Sequence, residues 1–324
     1  MTDLMEAGLE EAIAHEFLAW RDSSPVEKIT EQMEREGIHT VSLNEDGYPH
    51  LLKEITDPPH TLFVRGALPH AEQPSLAVVG TRACSTYGRR ACEEIVAPLA
   101  RQGMVIVSGL ALGIDGYAHQ AAIDSNGLTV AVLGSGVDRR HVSPSSHRDL
   151  SEEIIFRGGS VISEYPPGFL PTNYSFPARN RIIAGLSLGT LVVEAPEDSG
   201  ALITARCALD YNREVFAIPH PINSLSGVGP NNLIKMGARP VTSAMDITDA
   251  LNLKNLKDIV DNRKALPSSH TEAKILSTLS REPKHVDAII KHTGLDSPVV
   301  MSTLTLMEMK GKVKNIGGMM YISA

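Results

Sequence analysis

The segment FPARNRIIAG, residues 176–185, places an aromatic, two arginines and an asparagine at the start of a predicted helix. An apolar strand over residues 188–193 follows at once, so the cations should lie where a helix begins above a parallel sheet. The N-terminus of a helix in this position binds anions, because its unpaired N–H groups and the positive end of the helix dipole point outward. Arg179 and Arg181 add planar donor groups that suit phosphate. The segment therefore predicts an anion site.

The same residues also allow structural roles. Either arginine taken alone could pair with a carboxylate such as Glu164 or Glu194. Phe176 is either a platform on which a nucleic-acid base stacks or an apolar staple at the helix start. Only 4% of the residues are aromatic, so stacking cannot be extensive. Three further aromatic residues are close in the sequence and form a reserve: Tyr165, Phe169 and Tyr174.

The composition indicates a large, acidic, globular chain. It has 324 residues, 42% of them hydrophobic, and a formal net charge of -8. No apolar run reaches about 18 residues, and the N-terminus is acidic where a signal peptide would be basic. We therefore expect a cytoplasmic protein with no membrane partner. Three cysteines without CxxC spacing predict neither a disulfide framework nor a zinc site.

The charge is distributed unevenly along the chain. Residues 1–70 carry 5 Lys/Arg against 14 Asp/Glu, which gives -9. Residues 71–262 carry 16 against 19, or -3, and residues 263–324 carry 9 against 5, or +4. Polar or turn-rich stretches separate the three regions. This pattern predicts three domains with those boundaries.

The middle region alternates short apolar runs with helical patterns, which predicts a doubly wound, mostly parallel α/β sheet. The predicted buried strands are residues 76–79, 104–107, 129–133, 160–162, 191–193 and 215–218. The predicted helices between them include residues 89–101, 114–124 and 203–212. Ligands of such sheets bind beyond the carboxyl ends of the strands.

The loops that follow the strands are rich in glycine, serine and arginine. Their glycines permit close backbone approach, so several N–H groups could face a phosphate. No loop matches GxGxxG or GxxxxGK[ST], so neither a standard dinucleotide fingerprint nor a P-loop is present. The loops read GTRACSTYG, SGLALGIDGYAH, GSGVDRRH, SEYPPG, EAPEDSGALITAR and IPHPINSLSGVGPN.

These motifs, in this order, resemble those of the DNA-processing protein A family, also called Smf. The resemblance covers about residues 40–250, from VGTRACSTYG through FPARNRIIAG to the closing NNLIKMGA. It implies an extended Rossmann-like domain that binds single-stranded DNA and acts as a homodimer. It also implies a role in natural transformation, where the family protects incoming strands and helps load the RecA recombinase.

The resemblance also suggests the residues of the site. It implies that Leu112 stands where the family usually has an arginine, and that PHPIN, with His220, replaces the usual PG. Together with Arg179 from the anion-site argument, the predicted DNA-binding residues are Gly80, Arg82, Ser108, Gly109, Phe176, Arg179, Asn180, Arg181, Ser199 and Gly200. We expect Arg181 to be exposed, so that its loss would weaken binding with little effect on stability.

The flanking regions have their own patterns. Residues 1–70 suggest a small helical, SAM-like domain with a packing role. The tail predicts helices over residues 272–280, 285–292 and 297–310, then a hairpin around Gly317 and Gly318, which is a winged-helix pattern. Its third helix, SPVVMSTLTLMEMK, has no Arg, Asn or Gln to read bases. Protein contact or weak duplex binding is therefore expected of the tail.

An enzyme is the alternative. Rossmann-like phosphoribohydrolases of the lysine-decarboxylase-like group also bind nucleotides at glycine-rich strand ends. Asp115, Glu164 and Glu194 could serve there as acid or base. PEDSGALITAR, however, lacks the GGxGT motif and following glutamate of that group. We therefore expect no catalytic residue, no cofactor and no metal.

Overall fold

A computed structural model describes residues 2–6, 8–23, 26–253, 270–280, 283–309 and 312–323. The chain divides into two compact units, Met1–Leu251 and Asn252–Ala324. The first contains a nine-stranded sheet covered by helices, and the second contains three described helices with a three-stranded sheet.

The nine strands of the first unit follow the spatial order β1-β2-β6-β5-β4-β3-β7-β8-β9. The strands β3 to β9 are parallel to one another, whereas β2 is antiparallel to both β1 and β6. The strands are β1 (Ile38–Ser42), β2 (Thr61–Gly66), β3 (Ser75–Val79), β4 (Val105–Ser108), β5 (Thr129–Val132), β6 (Ser160–Ser163), β7 (Gly189–Val192), β8 (Glu214–Ala217) and β9 (Arg239–Pro240).

The helices of the first unit include those that connect the parallel strands. They are α1 (Thr2–Glu6), α2 (Glu11–Ser23), α3 (Val26–Glu36), α4 (His50–Lys53), α5 (Thr86–Arg101), α6 (Ile114–Asp124), α7 (Arg148–Phe156), α8 (Ser175–Gly185), α9 (Ala201–Asp210), α10 (Val228–Lys235) and α11 (Ala244–Ala250). Every residue of β3, β4, β5, β6 and β7 is buried, because parallel strands of this kind pack on both faces.

The prediction of a doubly wound, mostly parallel sheet is confirmed. All six predicted strands and the three predicted connecting helices are present, with bounds that differ by at most three residues. The differences lie at element ends, where frayed hydrogen bonding leaves the boundary weakly determined by sequence. The predicted helix at FPARNRIIAG is also present as α8, and β7 follows it.

Residues 1–70 are not helical throughout. Residues 38–66 contribute β1 and β2 to the large sheet, where β2 pairs with β6 from Phe63↔Ser163 to Gly66↔Ser160. Leu62 and Val64 are fully buried, because alternate β2 residues join the core of the sheet. The structure thus corrects the expectation of an all-helical region there, and the three-domain division stays a prediction.

The order of the strands determines where a ligand can enter. From β3 the chain builds β4, β5 and β6 on one side of the sheet, and β7, β8 and β9 on the other. The connections therefore diverge between β3 and β7, and this divergence opens a crevice at the carboxyl ends of the two strands. The loops that begin GTR and EAPEDSG border it.

The second unit has the predicted winged-helix elements. Its elements are α12 (His270–Leu276), β10 (Lys284–His285), α13 (Val286–Thr293), α14 (Ser297–Met309), β11 (Val313–Asn315) and β12 (Met320–Ser323). Apolar residues of all three helices and two strands form its core, including Ile275, Ile289, Leu304 and Tyr321. A buried ion pair joins Lys312 Nζ to Glu272 Oε2 at 2.6 Å. Across the described ranges of both units, no helix is long and apolar enough to cross a membrane.

Candidate functional site

A cavity of about 430 Å³ occupies the crevice between the carboxyl ends of β3 and β7. The loop after β3, the first turns of α8 and the first turns of α9 form its walls. Seven of the ten predicted site residues line it: Gly80, Arg82, Phe176, Arg179, Asn180, Ser199 and Gly200. The cavity thus brings together most of the site that the sequence predicts.

Two glycines allow the loops to approach each other at this edge. A Cβ at Gly80 would lie 2.5 Å from Cγ1 of Ile114, which is closer than packed atoms tolerate. Gly113 has φ +78°, and a Cβ there would lie 2.3 Å from the carbonyl O of Thr81. Only glycine adopts that backbone without strain. The GTR loop and the GLALGID loop are therefore packed backbone against backbone beside the cavity.

Arg82 and Phe176 form the charged and aromatic part of the mouth. Arg82 is exposed, and its Cζ lies 5.5 Å from the centroid of the Phe176 ring. A cation at this distance over an aromatic face is attracted by the ring quadrupole. Phe176 is half-buried and lines the cavity. Together they place a flat apolar ring beside an exposed guanidinium, a group that suits phosphate.

Arg179 lies on the cavity wall but is only 5% exposed. Its Nη1 donates to the carbonyl O of Gly109 at 2.7 Å and also to that of Val132. These bonds tie α8 to the loop after β4 and to the last residue of β5. Burial lowers the pKa of the Arg179 guanidinium to about 10, against the opposing effect of the Asp115 carboxylate. The cation still carries its charge at neutral pH.

Asp115 provides the counter-charge and lines the same cavity. Its Oδ2 accepts from the backbone N–H of Gly109 at 3.1 Å and of Ala111 at 3.4 Å. Burial raises the pKa of the Asp115 carboxyl, while the Arg179 charge and these N–H donors act in the lowering direction. The sequence predicted Asp115 only as an acid or base of the alternative enzyme. Its motif, IDGYAH after a strand, was the available signal.

The start of α9 forms the opposite wall. Ser199 and Gly200 precede its first turn, and the Ser199 hydroxyl accepts from the Ala201 N–H at 3.3 Å. Asn180 Nδ2 donates to the carbonyl O of Gly200 at 3.2 Å, which connects α8 to this turn. The N–H groups and dipole of a helix start favour an anion at this wall.

The structure corrects the expectation that Arg181 is exposed. Its side chain is 15% exposed and does not line the cavity. Nη1 and Nη2 bind both carboxylate oxygens of Glu164 at 2.8 and 2.7 Å, and Nε binds Asp57 at 3.3 Å. The structural alternative, a pair with Glu164, is therefore the observed arrangement. Successive helix residues are about 100° apart, so Arg179 and Arg181 face different directions.

Two other predicted residues support the site from outside the cavity. The Ser108 hydroxyl is fully buried and donates to the carbonyl O of Val78 at 2.6 Å. The Gly109 N–H donates to Asp115, and a Cβ there would lie 2.6 Å from both guanidinium nitrogens Nη1 and Nη2 of Arg179. Both residues therefore make their contacts within the protein. They hold the end of β4 and the Arg179 side chain in place.

The cavity also contains residues that the sequence did not suggest. Asn173 and Ile203 line it, the second at the first turn of α9 with 41% exposure. Asn173 lies outside the quoted motifs, and Ile203 belongs to EAPEDSGALITAR but carries no polar group, so only the folded loops identify them. Of the reserve aromatic residues, Tyr165 and Phe169 stack on each other with ring centroids 4.2 Å apart. Tyr174 is 86% exposed.

The carboxylates proposed for an enzyme are engaged in the fold. Glu194 is 1% exposed and accepts from Ser85 and Ser226, and Glu164 pairs with Arg181. Among the residues that the structure describes, no group of three or more His, Cys, Asp or Glu side chains could hold a metal ion. The arrangement of Arg82, Phe176 and the start of α9 is suited to binding an anion and a planar group.

Comparisons with known proteins agree with the motifs. The family model described as DNA recombination-mediator protein A matches residues 39–252, and the DprA winged helix domain matches residues 261–319. Protein Smf of Escherichia coli is 40% identical over an alignment of 321 residues, which covers 97% of this chain and 85% of that protein.

Solved structures show the same relationship. DNA processing protein A of Streptococcus pneumoniae superposes with a TM-score of 0.62 and 41% identity, over 68% of this chain and 77% of that one. DNA processing protein A of Helicobacter pylori, whose structure is described for its single-stranded DNA binding mode, superposes with a TM-score of 0.59 and 28% identity. The superposition covers 66% of this chain and 95% of that one. The chain therefore belongs to the DNA recombination-mediator protein A family.

Proposed function

We propose that this protein binds single-stranded DNA in the cavity between β3 and β7. The observation that carries the proposal is the arrangement of Arg82 over Phe176 at the mouth, opposite the N-terminal turn of α9. This places a cation, an aromatic face and backbone donors within one cavity. The family's description as a recombination mediator supports it, as does the single-strand binding of the Helicobacter pylori relative.

Each part of the cavity has a role in this proposal. Arg82 and the N-terminal turn of α9 bind phosphate oxygens, and Phe176 stacks on a base. A base stacked on an aromatic side chain contributes roughly 1–3 kcal/mol regardless of its identity. Gly80 and Gly200 present backbone to the DNA at the cavity wall, and Asn180 and Ser199 add polar contacts. The volume of about 430 Å³ accommodates only a few nucleotides.

The cavity favours a single strand over a duplex. In a duplex the bases are stacked on one another and paired, so a base would have to leave the stack to reach Phe176. That step costs a few kcal/mol in paired DNA and much less in an unpaired strand. The overall charge of -8 also disfavours a long electrostatic contact with a duplex.

Beyond strand binding, we infer that the protein is a mediator rather than a catalyst. It protects incoming strands in the cytoplasm during natural transformation and helps load the RecA recombinase on them, and it acts as a homodimer. The buried, hydrogen-bonded state of Glu194 supports the absence of acid–base chemistry. Light scattering in solution tests the dimer. A RecA filament assay on coated single strands tests loading.

Fluorescence anisotropy with labelled single-stranded and duplex oligonucleotides across a salt series tests the central proposal. Single strands should bind more tightly, and their affinity should fall as salt rises because phosphate contacts release counterions. Arg82→Ala should weaken binding. Arg101→Ala, which removes the same charge at the opposite end of α5, should not. Equal binding of the two substrates, or no dependence on salt, would contradict the proposal.

A further inference from the structure

The segment that carries Arg82 is held at both ends by one residue, Glu194. At one end, the Thr81 N–H donates to the backbone carbonyl O of Glu194 at 2.7 Å. At the other, Ser85 donates its N–H to Glu194 Oε2 at 2.7 Å and its hydroxyl to Oε1 at 2.6 Å. Arg82 lies between these two attachment points. Its backbone is therefore fixed relative to the end of β7, the strand that borders the other side of the cavity.

The carboxylate of Glu194 is built into the interior. It is 1% exposed, and a Cβ on Gly88 would lie 2.2 Å from Oε2. Ser226 donates its hydroxyl to Oε1 at 3.0 Å, and His220 Nε2 lies 3.5 Å from the same oxygen. A buried carboxylate is stable only when donors satisfy it. Its partners divide into two sets, Ser85 on the Arg82 segment and Ser226 with His220 on the loop after β8.

We propose that Glu194, through Ser85, is a positioning residue for Arg82 in the binding of single-stranded DNA. This inference rests on the function proposed above. An exposed arginine on a free loop would lose conformational freedom when it bound a phosphate, and a loop fixed beforehand reduces that loss. The Glu194–Ser85 contact holds the guanidinium over Phe176 before DNA arrives. Neither Glu194 nor Ser85 needs to touch the strand.

The two serines on the same carboxylate provide a matched pair of variants. Ser85→Ala removes a hydroxyl donor on the Arg82 segment, and with it the N-cap bond that this hydroxyl accepts from the Gly88 N–H at 3.1 Å. Ser226→Ala removes a donor from the same Glu194 oxygen on the other side. Ser85→Ala should weaken single-strand binding about threefold or more, within the range of coupling between contacting groups. Ser226→Ala should change it less than twofold on the same scale. Ser85→Thr, which keeps the hydroxyl, should bind like the unaltered protein.

A double-mutant cycle separates positioning from general stability. If Ser85 acts through Arg82, Ser85→Ala should have no further effect on affinity in the Arg82→Ala background. Melting curves of all variants show whether each is folded at the assay temperature. Glu194→Gln keeps the side-chain volume and replaces one acceptor oxygen. It supplies a second test of the same coupling should Ser85→Ala fold poorly.

The outcomes distinguish this inference from the function beneath it. Three results would overturn the positioning role. The first is unchanged binding by Ser85→Ala, the second is equal weakening by Ser85→Ala with and without Arg82, and the third is equal weakening by the two serine variants. Each of those results leaves single-strand binding in place. An unaltered protein that binds no single-stranded DNA, or an Arg82→Ala variant that binds as well, would instead reject the site itself.

Discussion

The cavity of the first unit and the third helix of the tail differ in the groups that could bind DNA: cations, an aromatic face and backbone N–H donors. The cavity combines Arg82, Phe176 and the N-terminal turn of α9. The tail helix α14 has no arginine or lysine within its bounds, and it exposes Val299 and Leu306. The formal net charge alone would favour the tail as the DNA-binding region. Residues 1–70 and 71–262 are acidic, whereas residues 263–324 carry +4.

If DNA binds in the cavity as proposed, the anion site lies in a region of net negative charge, so net charge alone does not locate it. A few cations and backbone donors focused in a cleft create a local field that the total charge does not reveal. In the cavity, Arg179 and the GTR loop are held by hydrogen bonds to neighbouring loops. The tail has a net positive charge without a comparable arrangement on α14.

The largest effect is expected from the buried cation. Arg179→Met should destabilise the first unit by about 3–5 kcal/mol, because it leaves the Asp115 charge uncompensated in the interior. The Arg179 charge opposes the rise in the Asp115 pKa, so its loss should raise that pKa further. The carboxyl of the variant then takes up a proton at higher pH. The loss of stability should therefore be greatest above neutral pH and should shrink as pH falls.

Urea denaturation of this variant and of Arg101→Met, measured at pH 8 and pH 5, checks the prediction. Arg101 is exposed at the end of α5, so its replacement should leave stability nearly unchanged. An equal loss at both pH values for Arg179→Met would show that the charge on Asp115 is not responsible.

The next largest effect concerns the mouth of the cavity. Arg82→Ala should weaken single-strand binding about tenfold or more, since a hydrogen bond to a charged group contributes roughly 1.5–3 kcal/mol. The slope of log affinity against log salt concentration should also become shallower by about 1, the contribution of one phosphate contact. Phe176→Ala should weaken binding by roughly 1–3 kcal/mol without changing that dependence. Anisotropy titrations at several salt concentrations measure both quantities, and unchanged affinity in both variants would remove the site from this cavity.

Arg181→Ala should act on stability rather than on binding. The substitution leaves the carboxylate of Glu164, 18% exposed, without its bidentate partner. We expect a loss of about 1–3 kcal/mol in the free energy of unfolding. At temperatures where the variant is folded, its affinity for single strands should remain close to that of the unaltered protein. A strong loss of affinity with an unchanged melting temperature would instead restore Arg181 as a contact residue.

The smallest effect is expected from removal of the tail. A chain that ends at Asp261 retains the whole first unit with its own core, so it should fold and keep most of its single-strand binding. We expect a change within about 0.5 kcal/mol, as for alterations distant from a site. If this truncation abolished binding while Arg82→Ala left it intact, the tail would be the DNA-binding module.

Much of the fold could be predicted because it is encoded locally. Short apolar runs and helical periodicity identified the strands and helices of the parallel sheet, and the winged-helix elements of the tail. Strands β1 and β2 were not assigned to the sheet, because they join it through β2, whose antiparallel pairing with β6 links residues about one hundred positions apart. No local pattern in residues 38–66 specifies that partner.

The sequence by itself determined which edge of the sheet carries the site. Chemistry-bearing residues follow the strands, and the carboxyl ends of parallel strands meet at one edge. Tertiary structure alone decided what each arginine does. Arg82 is exposed over Phe176, Arg179 is buried against two carbonyls, and Arg181 pairs with Glu164. An arginine's role depends on which groups surround it, and those groups come from loops distant in sequence that only folding brings together.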